Sequence, residues 1–288
     1  DLVAGFAGWE PAGTLLGNGS NDLLQLLFMS ILERGKTVVI SQPTFTLYKL
    51  LARGLGADVR EVMMDRTFRY DIDAIIAAAR ETKAAMIVLC SPNNPTGTYL
   101  QEADVVRVLE STEGVVVLDE AYVHFSPGSL HHLITRYDRL VVLQTFSKAM
   151  GAAGLRFGYA LVAPALAVQL NKIKLPYSVN IFTLIGAEVF IRRWDSIRGW
   201  IGKILDERER VRHALAALPG VTVHPSEANF LLMELDRKTP KEVFQHLANK
   251  GILIRDVSSY PMLDRALRVT IGTPGENTAM LNALVEVL

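Results

Sequence analysis

Two kinds of apolar segment alternate along the first 160 or so residues. Leu23–Leu32, Tyr48–Arg53, Ile72–Arg80 and Ala103–Leu109 place apolar side chains three and four positions apart, the period of an amphipathic helix. Between them lie Thr37–Ile40, Val59–Met64, Ala85–Cys90, Val115–Leu118, Leu140–Leu143 and Phe157–Val162, short runs rich in β-branched residues. Several of these runs lack polar alternation, as strands do when both faces are covered. The pattern therefore predicts an α/β fold, a mainly parallel central sheet with helices on both sides.

The rhythm changes after residue 193. Trp194–Leu218 reads as one long, partly exposed helix, with Asp206–Arg210 charged among the apolar positions Ile197, Ile201, Ile204, Val211 and Leu215. Short strands are predicted at Val221–His224, Phe230–Glu234, Ile252–Arg255 and Leu267–Ile271, with helices near Lys241–Asn249 and Glu276–Leu288. The predicted organisation is a large domain over 1–193 and a smaller C-terminal α+β domain over 194–288.

Composition narrows the function. Half of the 288 residues are apolar and 21% are charged, enough for a sizeable core. Thirty basic and thirty acidic residues cancel, with no block of one sign, so the electrostatic footprint of a nucleic-acid or membrane-surface partner is missing. Local arginines can still hold small anions. Cys90 is the only cysteine, which excludes an intrachain disulfide and a Cys-based zinc cluster and suits a reducing cytoplasm. No apolar run approaches the length of a membrane span, and the first residues lack the pattern of a signal peptide. The chain opens on Asp1 and reaches a dense motif by Gly17, from which we expect upstream residues in the natural protein.

The candidate chemistry lies at the ends of the predicted strands, where open α/β sheets bind ligands. Thr145-Phe146-Ser147-Lys148 follows Leu140–Leu143, and Arg156 lies one glycine-rich loop later. A lysine becomes a nucleophile when desolvated or set beside another cation, and Arg156 is such a cation; a solvated surface lysine is the alternative. Gly17–Asp22 precedes an apolar helix, so Gly19, Ser20 and Asn21 offer either a phosphate cradle or an ordinary capped turn. In Ser91–Gly97, Pro95 restricts Asn94 to an extended conformation that can aim its amide at a ligand. Val115–Leu118 delivers Asp119, with Tyr122 close behind. No His or Cys stands beside Asp119 at ligand spacing, so it reads as a helix cap or a partner for a buried cation rather than a metal ligand.

Together these segments resemble the fold-type I aminotransferases that use pyridoxal 5′-phosphate, and within them the histidinol-phosphate aminotransferase subfamily. The resemblance spans essentially the whole chain. It rests on Gly17–Asp22, Pro43-Thr44-Phe45, Ser91–Gly97, Asp119–Tyr122, Thr145–Arg156, Ile254-Arg255-Asp256 and Leu267–Gly272. It implies that Lys148 carries the cofactor aldehyde as a Schiff base and shuttles a proton, and that Asp119 pairs with the pyridinium nitrogen. Asn94 and Tyr122 are implied at the ring oxygen, Phe45 on the ring face, and Gly19, Ser20, Asn21, Thr145, Ser147 and Arg156 at the phosphate. Phe45 stands where many family members have Tyr, and plain core packing is its alternative.

The resemblance further implies that Arg268 grips a substrate carboxylate, that Arg255 helps to bind a substrate phosphate, and that Asn229 lies near the substrate. A surface salt bridge with Asp256 is the alternative for Arg255. The implied enzyme is a cytoplasmic homodimer in histidine biosynthesis, moving the amino group of L-histidinol phosphate to 2-oxoglutarate by ping-pong kinetics. Family members carry an upstream segment that covers the substrate and lends a tyrosine to the neighbouring subunit, and neither can be located here. The alternatives are an aromatic or broad-range aminotransferase, a decarboxylase of phosphorylated amino acids, and a cofactor-binding regulatory module.

Overall fold

A computed structural model describes residues 1–288. Seven strands form the main sheet: β1 (Thr14–Gly17), β2 (Thr37–Gln42), β3 (Asp58–Met63), β4 (Met86–Cys90), β5 (Val115–Asp119), β6 (Leu140–Thr145) and β7 (Gly158–Leu161). Their spatial order is β1-β7-β6-β5-β4-β2-β3. The pairs β2/β3, β2/β4, β4/β5 and β5/β6 are parallel, whereas β7 runs antiparallel to both β6 and β1. The reversed strand matters for the site, because the start of β7 meets the ends of its neighbours.

Period-two alternation along the central strands feeds two separate apolar layers. Ile87 and Leu89, Val116 and Leu118, and Leu140 and Val142 point to one side, where they pack on α4 (Ile72–Glu81) and α5 (Glu102–Ser111). Met86 and Val88, Val117, and Val141 and Leu143 point to the other side, against α2 (Ser20–Ile31) and α3 (Leu47–Gly54). Both layers are apolar, which is why these strands carry no polar stripe. Three further helices were not foreseen from the pattern. These are α1 (Leu2–Ala7) and α7 (Ile181–Arg192), on the side of α4, and α6 (Pro164–Asn171), on the side of α2.

A long helix, α8 (Trp194–Ala216), leads to a second sheet made of β8 (Val221–Val223), β9 (Phe230–Leu235), β10 (Arg255–Asp256) and β11 (Ala266–Thr270). Its order is β10-β11-β9-β8 and every pair is antiparallel. The strand predicted at Ile252–Arg255 shrinks to Arg255–Asp256, since only these two residues find partners on β11. With α8, two further helices, α9 (Pro240–Asn249) and α10 (Pro274–Val287), cover this sheet, and both start with a reciprocal cap, Thr239 with Glu242 and Thr273 with Glu276.

Arg208 of α8 ties the two sheets together. It is 7% exposed, and its Nη1 donates to the Ala228 carbonyl (3.0 Å) and the Phe125 carbonyl (3.4 Å) while Nη2 reaches Glu227 (3.3 Å). The Glu227 N–H in turn donates to the Gly97 carbonyl at 2.8 Å, so the segment before β9 rests on the loop after β4.

Candidate active site

β1, β2, β4, β5 and β6 run in one direction, so their carboxyl ends share one edge of the sheet, and β7 begins at that same edge. A cavity of about 130 Å³ lies there. Its wall takes Ser20 and Asn21 from after β1, Phe45 and Tyr48 from after β2, and Cys90 and Asn94 from β4. Asp119, Ala121 and Tyr122 come from β5, Thr145, Ser147 and Lys148 from β6, and Arg156 from just before β7. Arg156 thus reaches the site because β7 is reversed, not because it follows a strand.

One wall is acidic and buried. Asp119 ends β5 on the α3 side, 6% exposed, with Oδ1 accepting the Ala121 N–H (3.1 Å) and Oδ2 accepting the Tyr48 hydroxyl (2.6 Å). Burial raises its pKa above the ordinary carboxylate value, and the Tyr48 and Ala121 hydrogen bonds and the charge of Lys148 pull in the other direction. Burial, and then the nearby Asp119 charge, push the Tyr48 phenol well above its usual value.

Toward Gly19 and the start of β7, the lining gathers groups that can hold an anion. Gly19 precedes α2 with φ +82°, a left-handed backbone that suits glycine, and a Cβ there would lie 2.4 Å from Arg156 Nη2. The bare glycine makes room for the guanidinium beside the free N–H groups that open the helix. Arg156 Nη1 donates to Ser147 Oγ (3.3 Å), and Thr145 Oγ1 accepts the Ser147 N–H (3.1 Å) and donates to the Phe157 carbonyl (3.1 Å). Amides, hydroxyls and a guanidinium on one side and a buried carboxylate on the other fit a group with a phosphate at one end and a cationic ring nitrogen at the other.

Between the walls, Lys148 lies 5.1 Å from the centre of the Tyr122 ring. The lysine is exposed at the mouth of the cavity and forms no ion pair, so the protein itself supplies little of the desolvation expected from the sequence. Phe45 is half-buried and meets Tyr48 edge-on at 5.6 Å; it lines the cavity and also packs on the α2 side of the core. Asn93 braces the loop that carries Asn94: its Nδ2 donates to the Pro43 carbonyl (2.9 Å) and its Oδ1 accepts the Thr44 hydroxyl (2.6 Å).

Of the predicted C-terminal residues, Arg268 reaches the rim. Arg268 Nη1 donates to Asn94 Oδ1 at 2.6 Å, its guanidinium sits 4.8 Å over the Phe230 ring, and its buried Nε has no partner. Arg255 is the direct cross-strand partner of Arg268, so both side chains leave the same face of the second sheet. Arg255 is exposed and forms no salt bridge with Asp256, whose Oδ1 instead accepts the Ser258 N–H. Asn229 precedes β9 with its carbonyl accepting the Ile271 N–H (2.9 Å); neither it nor the two arginines line the cavity.

Tyr48, Cys90 and Ala121 line the cavity although none is a site residue predicted from the sequence. Tyr48 carried the one usable signal, a polar hydroxyl inside an apolar helical stretch three residues after Phe45.

Glu120 turns to the other side of the sheet from Asp119. Its carboxylate accepts from Ser129 Oγ (2.5 Å), Gln144 Nε2 (2.8 Å) and the Leu130 N–H (2.8 Å), and burial still raises its pKa to about 7 from 4.5. A raised carboxyl pKa contributes stability that is complete below about 4.5 and lost as pH climbs to about 7. In urea unfolding across pH 4.5 to 8, Glu120→Gln should lose this slope, so that its stability relative to the parent rises by on the order of 3 kcal/mol from the acidic to the alkaline end. Parallel pH curves for the two proteins would contradict the assignment.

The sheet order and a strand-end cavity with a buried carboxylate on one wall and amides, hydroxyls and a guanidinium on another fit a cofactor-dependent enzyme of the α/β class. The sequence model of the family "Aminotransferase class I and II" matches residues 2–287, and the chain belongs to this family of pyridoxal-phosphate-dependent aminotransferases. It is 39% identical over 282 residues to a histidinol-phosphate aminotransferase of Chlorobaculum tepidum, covering 98% of this chain and 80% of the relative. Among solved structures, the histidinol-phosphate aminotransferase of Sinorhizobium meliloti in complex with pyridoxal-5′-phosphate superposes with a TM-score of 0.90 at 27% identity, covering 99% of this chain and 79% of that one. The L-threonine-O-3-phosphate decarboxylase of Porphyromonas gingivalis does so with a TM-score of 0.85 at 26% identity, covering 98% and 86%.

Proposed function

We propose that the enzyme transfers the amino group of L-histidinol phosphate to 2-oxoglutarate, giving imidazole acetol phosphate and L-glutamate in histidine biosynthesis. The observation that carries this reading is the cross-strand pair Arg255 and Arg268, two cations on one face of the second sheet, with Arg268 beside Asn94 at the rim of the cavity. A planar guanidinium suits both a carboxylate and a phosphate, which is what an enzyme alternating between these two substrates needs. Arg268, with one nitrogen unpartnered, takes the carboxylate of glutamate or its oxo acid, and exposed Arg255 takes the phosphate. Asn229 stands close in sequence to Phe230, over which Arg268 is stacked, and is assigned to the same subsite.

The bound cofactor supplies an electron sink for charge released at the substrate Cα. Lys148 would hold it covalently, and its amine would be the base that takes the proton from the substrate Cα. Asp119 keeps the ring nitrogen protonated, Asn94 and Tyr122 orient the ring oxygen, and Phe45 covers the ring face. Gly19, Ser20, Asn21, Thr145, Ser147 and Arg156 hold the phosphate. Residues 1–193 form the cofactor domain and 194–288 the small domain. No helix is long and apolar enough to cross a membrane.

The protein acts as a homodimer. Supporting this, Leu175, Tyr177, Ile181, Phe182, Ile185 and Val189 expose an apolar surface on and before α7, with Phe182 80% and Tyr177 99% accessible. Sedimentation should return twice the mass of one chain, and a monomer at micromolar concentration would sink this part.

Steady-state assays test the substrate. Arg255→Ala should raise KM for histidinol phosphate about 10- to 100-fold, the size of one charge-assisted hydrogen bond, and leave KM for phenylalanine nearly unchanged. Equal changes for both donors would favour a broad-range aminotransferase. The likeness to the phosphothreonine decarboxylase supports a second reading that keeps the phosphate subsite, and carbon dioxide release without an oxo acid would establish it.

A further inference from the structure

Tyr48 provides the only side-chain hydrogen bond to Asp119. It arrives from α3, with β4 lying between its own strand β2 and β5, and its 1% exposure places the hydroxyl wholly inside the protein. The other titratable groups near the carboxylate are the Cys90 thiol on β4, the Tyr70 phenol, which donates to the Cys90 carbonyl (2.5 Å), and Lys148 after β6. Glu120, next along the chain, faces the other side of the sheet.

We propose that Tyr48 is a positioning residue that fixes the Asp119 carboxylate and keeps it anionic for the cofactor ring nitrogen. The inference rests on the reading of Asp119 as the partner of that nitrogen. A donor bonds an anionic carboxylate more strongly than a neutral acid, so the Tyr48 hydroxyl opposes the effect of burial. The choice of donor matters. A lysine or arginine in this place would pair with the charge and compete with the ring nitrogen, whereas a neutral phenol stabilises the charge without cancelling it. With Oδ2 on Tyr48 and Oδ1 on the Ala121 N–H, the plane of the carboxylate is set from two sides.

The test uses the full chain, with and without pyridoxal phosphate, as Tyr48→Phe, as protein with 3-fluorotyrosine placed at position 48, and as Asp119→Asn. Carbon-13 NMR of the Asp119 carboxyl in the cofactor-free chain should show its titration midpoint moved up by about one to two units in Tyr48→Phe, the size of a charged hydrogen bond. The more acidic fluorophenol, which preserves the packing if the Phe variant fails to fold, should move it down. In the loaded protein, the cofactor absorbance of Tyr48→Phe should depart from the parent in the same direction as that of Asp119→Asn. An unmoved midpoint in both Tyr48 proteins, with Asp119→Asn still altering the spectrum, overturns the role of Tyr48 alone. An unaltered spectrum in Asp119→Asn overturns the reading of Asp119 beneath it.

Discussion

Lys148→Ala is expected to slow amino transfer by on the order of 10⁴-fold while leaving the fold unchanged. The size follows from two losses at one atom: covalent capture of the cofactor, and the proton transfer at Cα, which on its own is worth about 10²- to 10⁴-fold. The fold should survive because Lys148 is exposed, its ammonium makes neither a hydrogen bond nor an ion pair, and the Gly151 N–H bond to its backbone carbonyl is kept in the variant. Stopped-flow measurement of a single half-reaction checks this without interference from product release. A residual rate within tenfold of the parent would move the proton-transfer role to another residue.

Asp119→Asn should reduce turnover by about 10²- to 10³-fold, the usual range when one fixed charge facing developing charge is removed. Asn keeps the shape: its Oδ1 can still accept the Ala121 N–H, and its Nδ2 can donate to the Tyr48 oxygen once that hydroxyl turns, so the loss comes chiefly from the charge. Removing a buried carboxylate also relieves a desolvation cost, so thermal stability should stay level or rise as activity falls. Opposite movement of the melting temperature and the rate is the signature to look for. A parallel fall in both would identify Asp119 as a structural residue.

The central sheet is legible in the sequence because β4, β5 and β6 are covered on both faces, so a polar residue at the end of such a run stands out. That contrast is what exposed Asp119, Thr145 and Lys148. The direction of β7 leaves no such mark, since Phe157–Val162 has the same alternation read either way and its reversal is set by pairing with β6 and β1. Strand β1 is four residues ending in glycine, too short to show a period. Helix α7 carries apolar residues on its exposed side as well as its buried one, which erases the amphipathic pattern that marks α4 and α5.

The site was legible where a motif carries its own chemistry and opaque where a partner is distant. Asn94 and Arg268 are 174 positions apart and meet only because the loop after β4 and strand β11 converge. Tyr48 lies 71 positions from Asp119, and nothing near it in the chain announces the bond.

Borohydride reduction of the cofactor-loaded protein, followed by peptide mass mapping, asks most directly whether the amine at the end of β6 faces the cofactor across from Asp119. A phosphopyridoxyl mass confined to the peptide containing Lys148 is the result this account predicts. The same mass on any other lysine, or none in a preparation with bound pyridoxal phosphate, would contradict it.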